Sequence, residues 1–206
     1  MAIGTIGIIG AGTMGNGIAQ ACAVVGLPVI MQDINDAACA RGLAAVSSSL
    51  DRLVKKDKMT AAQKEAALAL IKTTTNPADL SAADYIIEAA TENLELKLKL
   101  LKSVSELAKP SAIIASNTSS ISITKLAASV KNPAQFVGMH FFNPVPLMAL
   151  VELIRGLQTN DATMAVAQAL ATQLGKTPIS VKNSPGFVVN RILCPMINEA
   201  DRKSVV

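Results

Sequence analysis

His140 is the only histidine among 206 residues, so it alone carries a side chain that titrates near neutral pH without help from its surroundings. It ends an apolar run, Phe136–His140, and precedes a proline-bounded loop, Phe142-Asn143-Pro144-Val145-Pro146. Glu152 follows 12 residues later inside a second apolar run, Ala149–Ile154. If the two runs pair as antiparallel strands, the carboxylate comes alongside the imidazole, fixes its tautomer and raises its basicity. Such a pair suits the removal of a hydroxyl proton while hydride leaves carbon, as in alcohol oxidation by a nicotinamide enzyme. A lone histidine at a strand end is also an ordinary polar residue, and both readings stay open at this point.

A second group of residues bears on the hydride acceptor. Gly10-Ala11-Gly12-Thr13-Met14-Gly15 lies between a β-branched run (Ile6, Ile8, Ile9) and a helical pattern through Met14, Ile18, Ala21 and Val25. In that context the glycine spacing suits a dinucleotide pyrophosphate. Gly10 permits the turn, Gly12 lets backbone approach the phosphates, and Gly15 lets the helix sit on the strand. Small-residue turns at such junctions also serve packing alone. Asp33 lies 18 residues beyond Gly15, at the end of a second predicted strand, Leu27–Asp33. A carboxylate there accepts hydrogen bonds from the adenosine ribose and repels a 2′-phosphate. At contact distance the repulsion is worth up to about 4 kcal/mol at an effective dielectric of about 20, which favours NAD over NADP.

The elements that must position these groups alternate. Residues 35–72 carry an interrupted helical pattern, with an apolar stripe at Ala38, Leu43, Val46, Leu50, Leu53 and Val54. Thr60-Ala61-Ala62-Gln63 has the form of a capping box opening a second helix to about Ile71. This predicts a helical hairpin over about 36–71, inserted between two strands. A short strand at Thr73–Thr75, a strand at Tyr85–Ala90, a helix at Leu94–Leu107 and a strand at Ile113–Ser116 follow. Beyond the two runs that carry His140 and Glu152, a helix over Ala162–Leu174, a strand at Ile179–Val181 and a helix opening at Pro185 are expected. The alternation predicts an α/β fold, a Rossmann-like, doubly wound and mainly parallel sheet.

Half of the residues are hydrophobic, enough for a sizeable core, and aromatics are only 2%. No apolar run reaches membrane-spanning length. Cys22, Cys39 and Cys194 lack metal-ligand spacing, so no metal is expected, and they imply a reducing, cytoplasmic setting. The net charge is +4, with basic clusters at Arg52, Lys55, Lys56 and Lys58 and at Lys97, Lys99 and Lys102. No aromatic–basic interleaving suggests nucleic acid. The clusters read as solvated helix faces or as contacts to a small polyanionic ligand.

Four segments in order, Gly10–Gly15, Ser116-Asn117-Thr118-Ser119-Ser120, His140-Phe141-Phe142-Asn143-Pro144-Val145-Pro146 and Ser184-Pro185-Gly186-Phe187-Val188-Val189-Asn190-Arg191, resemble the short-chain L-3-hydroxyacyl-CoA dehydrogenase family. The resemblance implies NAD-dependent, reversible oxidation of an (S)-3-hydroxyacyl-CoA, most simply 3-hydroxybutyryl-CoA, to the 3-ketoacyl-CoA. It implies His140 as catalytic base, Glu152 as the carboxylate orienting it, and Ser119 and Asn190 as the residues holding the substrate. For the cofactor it adds Glu92, Lys97, Ser119 and Asn143 to the glycine loop and Asp33. Ser49 and Lys56 are implied in binding the coenzyme A moiety, together with Ser119. It further implies an NAD-binding unit over 1–183 and, at 184–206, the start of a truncated all-helical domain that forms the family's homodimer interface. The apolar helix after Pro185 is then expected to expose a face. An NAD-binding fragment without turnover, and a related β-hydroxyacid dehydrogenase, are the competing readings.

Overall fold

β-Branched and apolar runs too short for helices build the sheet of this chain, of which a computed structural model describes residues 3–203. Among these, eight strands form one sheet: β1 (Ile6–Ile9), β2 (Val29–Gln32), β3 (Ile71–Thr74), β4 (Tyr85–Glu88), β5 (Ile113–Ser116), β6 (Phe136–Phe141), β7 (Leu150–Arg155) and β8 (Thr177–Lys182). Their order is β3-β2-β1-β4-β5-β6-β7-β8, and every neighbouring pair is parallel except β6 with β7. The chain crosses over between β1 and β4, so the crevice for a ligand opens there, beyond the carboxyl ends of the strands.

Helices cover both faces. α1 (Thr13–Val24), α2 (Asp36–Val54), α3 (Ala61–Ala69) and α6 (Asp161–Gln173) pack residues such as Ile18, Val46, Leu50 and Leu170 on one side. On the other, α4 (Leu94–Leu107) and the short α5 (Ile123–Ala127) bring in Leu101, Val104 and Leu126. This is the doubly wound arrangement that alternating buried strands and amphipathic helices require. α2 and α3 form the predicted hairpin, and Thr60 and Gln63 close the predicted capping box between side chains and backbone. Among the described residues no helix is long and apolar enough to cross a membrane, and no cluster of three or more His, Cys, Asp or Glu residues could hold a metal ion.

Boundaries moved where pairing or a turn overrode local pattern. α3 stops at Ala69 and β3 begins at Ile71, ahead of the expected Thr73, because Ile71 takes the register position beside Val29. β8 runs from Thr177 rather than Ile179, since it pairs along the whole of β7. The last helix, α7 (Val189–Lys203), starts four residues after Pro185. Gly186 and Phe187 have positive φ, 72° and 51°, which no helix accepts, and Phe187 turns inward to 1% exposure. α7 does leave Ile192, Met196 and Ile197 more than half exposed.

Candidate active site

The antiparallel step at β6–β7 places His140 directly opposite Glu152. His140 Nδ1 lies 2.7 Å from Glu152 Oε2, and Glu152 is fully buried while the imidazole is only 9% exposed. Little water competes with this pair, so a charge-assisted bond here is stronger than on an open surface. The other carboxylate oxygen, Oε1, accepts the backbone N–H groups of Val188 and Val189, both at 3.0 Å. Glu152 therefore serves as a cap for α7 and a tether for the ring at once. Phe142 and Phe187 flank the imidazole, with ring centroids 4.4 and 5.9 Å away.

The Glu152 cap sets α7 beside the loop after β5, where Asn190 Nδ2 donates to the Ser119 carbonyl at 3.2 Å. Glu92 gathers that loop. Its Oε1 accepts from Thr118 Oγ1 at 2.6 Å, Ser119 N–H at 2.8 Å, Ser119 Oγ at 3.0 Å and Ser120 N–H at 3.2 Å. Partial burial pushes the Glu92 carboxyl up, but these donors and the Lys97 ammonium outweigh it and hold it below the ordinary glutamate range. Met14, Glu92, Ser119, His140 and Asn143 all line one cavity between β4, β5 and β6.

The glycine loop borders this cavity. A Cβ on Gly10, whose φ is +97°, would stand 2.8 Å from Ala90 Cα, and one on Gly15 would stand 1.8 Å from the Gly10 carbonyl oxygen. Gly12, by contrast, faces open space. α2 to α6 each begin with a side chain (Asn35, Thr60, Asn93, Ser122, Asn160) that accepts a free backbone N–H, whereas α1 has none. Its first N–H groups are left for an anion, which fits a dinucleotide pyrophosphate. Asp33 accepts the N–H groups of Ala11 and Ile34, each at 2.7 Å. Two oxygens offer about four acceptor sites, so capacity remains for ribose hydroxyls. Asp33 also borders a cleft walled by Leu80, Leu96, Leu100 and Val104, apolar enough to take an adenine ring.

Ser49 and Lys56 come together on one side of a separate groove, with Arg52, Thr13, Asn143 and Leu147 around it. The α2–α3 hairpin carries the basic cluster at its tip, as expected from the sequence. Lys97 differs from the reading as an exposed basic residue. It is 1% exposed, off the cavity wall, and its Nζ donates to both oxygens of fully buried Glu88 at 2.8 and 2.7 Å. Its ammonium reaches Glu92 Oε2 only at 3.9 Å, so it supports the site from beneath. Glu88 also accepts from Ser116 Oγ at 2.7 Å and from Ala90 N–H at 2.9 Å. Sequence reasoning missed this role, although a charge closing the apolar run Tyr85–Glu88 was a usable signal. Lys176 was also missed: its amine donates to the carbonyls of Val145 and Met148 and ties down the proline-rich wall of the groove. Nothing in its local sequence marks that contact.

Residues 5–184 match the family described as 3-hydroxyacyl-CoA dehydrogenase, NAD binding domain. The chain belongs to this family. It is 50% identical over 194 residues to a probable 3-hydroxybutyryl-CoA dehydrogenase of Deinococcus radiodurans, covering 94% of this chain and 69% of that protein. It is 46% identical over 195 residues to the 3-hydroxybutyryl-CoA dehydrogenase of Clostridioides difficile, covering 95% of this chain and 69% of the relative. Among solved structures it resembles the (S)-3-hydroxybutyryl-CoA dehydrogenase PaaH1 of Ralstonia eutropha, at 68% identity and a TM-score of 0.95, with 97% of this chain and 70% of that one covered. The fold is thus that of the family's NAD-binding unit, the cofactor is NAD, and the protein is an NAD-dependent oxidoreductase.

Proposed function

We propose that the protein interconverts a short-chain (S)-3-hydroxyacyl-CoA, 3-hydroxybutyryl-CoA first among them, and its 3-ketoacyl-CoA. The observation that carries this is the buried His140–Glu152 pair at 2.7 Å, opening on the cavity shared with Ser119 and the residues next to the glycine loop. Bound NAD supplies the hydride acceptor. Glu152 engages Nδ1, so the N–H of the neutral ring sits there and the Nε2 lone pair takes the proton of the 3-hydroxyl group. The same carboxylate then stabilises the imidazolium. Ser119 Oγ, its proton turned from Glu92 to the substrate, and Asn190 hold the 3-oxygen, and Asn190 is kept in place by its bond to the Ser119 carbonyl. In the reverse direction the imidazolium returns the proton to the developing alkoxide.

Gly10, Ala11, Gly12, Thr13, Met14 and Gly15 are assigned to the pyrophosphate, Asp33 to the adenosine ribose, and Glu92, Ser119 and Asn143 to the nicotinamide end. Lys97 acts there through Glu92. Ser49 and Lys56 are assigned to the coenzyme A moiety, whose phosphates suit the cationic rim that Arg52 shares. We place the domain boundary at 183–184, where the family match ends and the Gly186–Phe187 turn begins; positions 1–2 and 204–206 of the two segments lie outside the described residues. The apolar face of α7 is assigned to a subunit or domain interface, and the free cysteines fit a cytoplasmic setting.

Acetoacetyl-CoA and NADH, followed by loss of reduced-nicotinamide absorbance, test the reading. Turnover by the unmodified protein and its abolition by His140→Gln are expected. Turnover that survives His140→Gln overturns the assignment of the base. NADH binding without turnover supports the alternative of a binding unit, which the uncovered face of α7 favours.

A further inference from the structure

The glycine loop is gripped from a second side. A Cβ on Gly42 of α2 would stand 2.7 Å from the Ala11 carbonyl oxygen, while Asp33 holds the Ala11 N–H at 2.7 Å. That contact fixes the preceding residue, Arg41, over a cavity bordered by Gly12, Thr13, Asp33 and Ile34. The Arg41 guanidinium has no hydrogen bond or ion pair with any other described residue. One cation and one carboxylate thus face the same space, on the side where β2 delivers the carboxylate that reads the ribose.

We propose that Arg41 is a specificity-determining residue that opposes Asp33: it attracts a phosphate monoester on the 2′-oxygen of the adenosine ribose. The two residues read opposite chemistry. Asp33 accepts from hydroxyl groups and repels a phosphate, whereas a guanidinium offers only donors, in a planar fork that matches phosphate oxygens. The protein therefore binds NADPH weakly rather than rejecting it, and Asp33 sets the margin in favour of NADH. With NADH the cavity receives no 2′-phosphate, and Arg41 contributes nothing to affinity. The inference rests on the glycine loop being the seat of the dinucleotide.

Equilibrium titration of the whole chain with NADPH and with NADH, read by reduced-nicotinamide fluorescence, tests it without turnover. Arg41→Ala is expected to weaken NADPH binding on the order of tenfold and to leave NADH unchanged. Asp33→Asn, which keeps an acceptor for the Ala11 N–H, is expected to strengthen NADPH binding on the order of tenfold, and the double variant to lose that gain. The Arg41 effect should shrink as salt is raised. Equal weakening of NADH and NADPH places Arg41 on the pyrophosphate and overturns the proposal. In a parallel equilibrium titration with free coenzyme A, a weakening by Arg41→Ala that is absent with NADPH assigns the cation to the 3′-phosphate of coenzyme A and overturns it too. If NADH binds and Arg41→Ala is silent toward NADPH, this inference alone fails. If NADH does not bind the unmodified protein, the dinucleotide reading fails with it.

Discussion

Glu152→Gln separates the two tasks of one carboxylate. Glu152 Oε2 meets His140 Nδ1 at 2.7 Å, and Oε1 accepts two backbone N–H groups at 3.0 Å. An amide of the same shape has one acceptor oxygen and one donor nitrogen. With the oxygen toward Val188 and Val189, two backbone bonds worth roughly 1 kcal/mol each survive. The NH2 group then faces Nδ1, forces it to accept, and leaves the proton on Nε2, where the base should be. The opposite orientation sets the NH2 group against two N–H donors, so the first is favoured. The expected result is a folded protein whose kcat falls roughly 10³–10⁴-fold, as for a ring held in the wrong tautomer, with little change in the KM for NADH. Stability should drop by about 1–3 kcal/mol, because a charged acceptor becomes a neutral one. Steady-state kinetics with acetoacetyl-CoA, together with urea unfolding, measure both. A kcat within tenfold of the unmodified enzyme, on a variant shown to be folded, would refute the tautomer argument and with it the role given to Glu152.

Two further outcomes follow from buried or paired charges. Lys97→Met strands Glu88, fully buried, without its cation, and should cost roughly 3–5 kcal/mol in denaturant unfolding, while Glu88→Gln with Lys97→Met should recover part of it; equal stability of the single and double variants contradicts this. Asp84 accepts from Lys109 and from the N–H groups of Gly4 and Thr5. The Lys109 bond leads these causes in holding its carboxyl below the ordinary aspartate range, against the opposing effect of burial. A depressed folded-state value means stability that is complete above the unfolded value and lost as pH falls through the folded one. Unfolding free energy should therefore decline below about pH 4, and Asp84→Asn should flatten that decline; an unaltered slope in the variant rules Asp84 out as its source.

Most of the fold was legible because its signals are local. Ile6–Ile9, Tyr85–Glu88 and Ile113–Ser116 are buried along their whole length, so apolar, β-branched sequence is what they need. Thr60 and Gln63 cap a helix through contacts three residues apart. The glycine loop is legible for the same reason, since Gly10 and Gly15 meet each other across a single turn. The errors fell where distant partners decide. β3 starts where Val29 pairs with Ile71, and α7 starts where Phe187 turns into the core and Glu152 caps the next two residues.

By itself the sequence determined the alternating sheet, the glycine loop and a short list of side chains able to do acid–base chemistry. It also showed that His140 and Glu152 could meet, on condition that their strands ran antiparallel. Only the tertiary structure decided that condition, through the one reversed pair in the sheet. It also decided that Lys97 is a buried counter-ion, that Glu92 gathers the Ser119 loop, and that Glu152 joins the base to the helix carrying Asn190. For Lys97 and Glu152 the physical reason is the same. A charge removed from water must find its partner, and the chain can supply that partner from nine residues away or from 36.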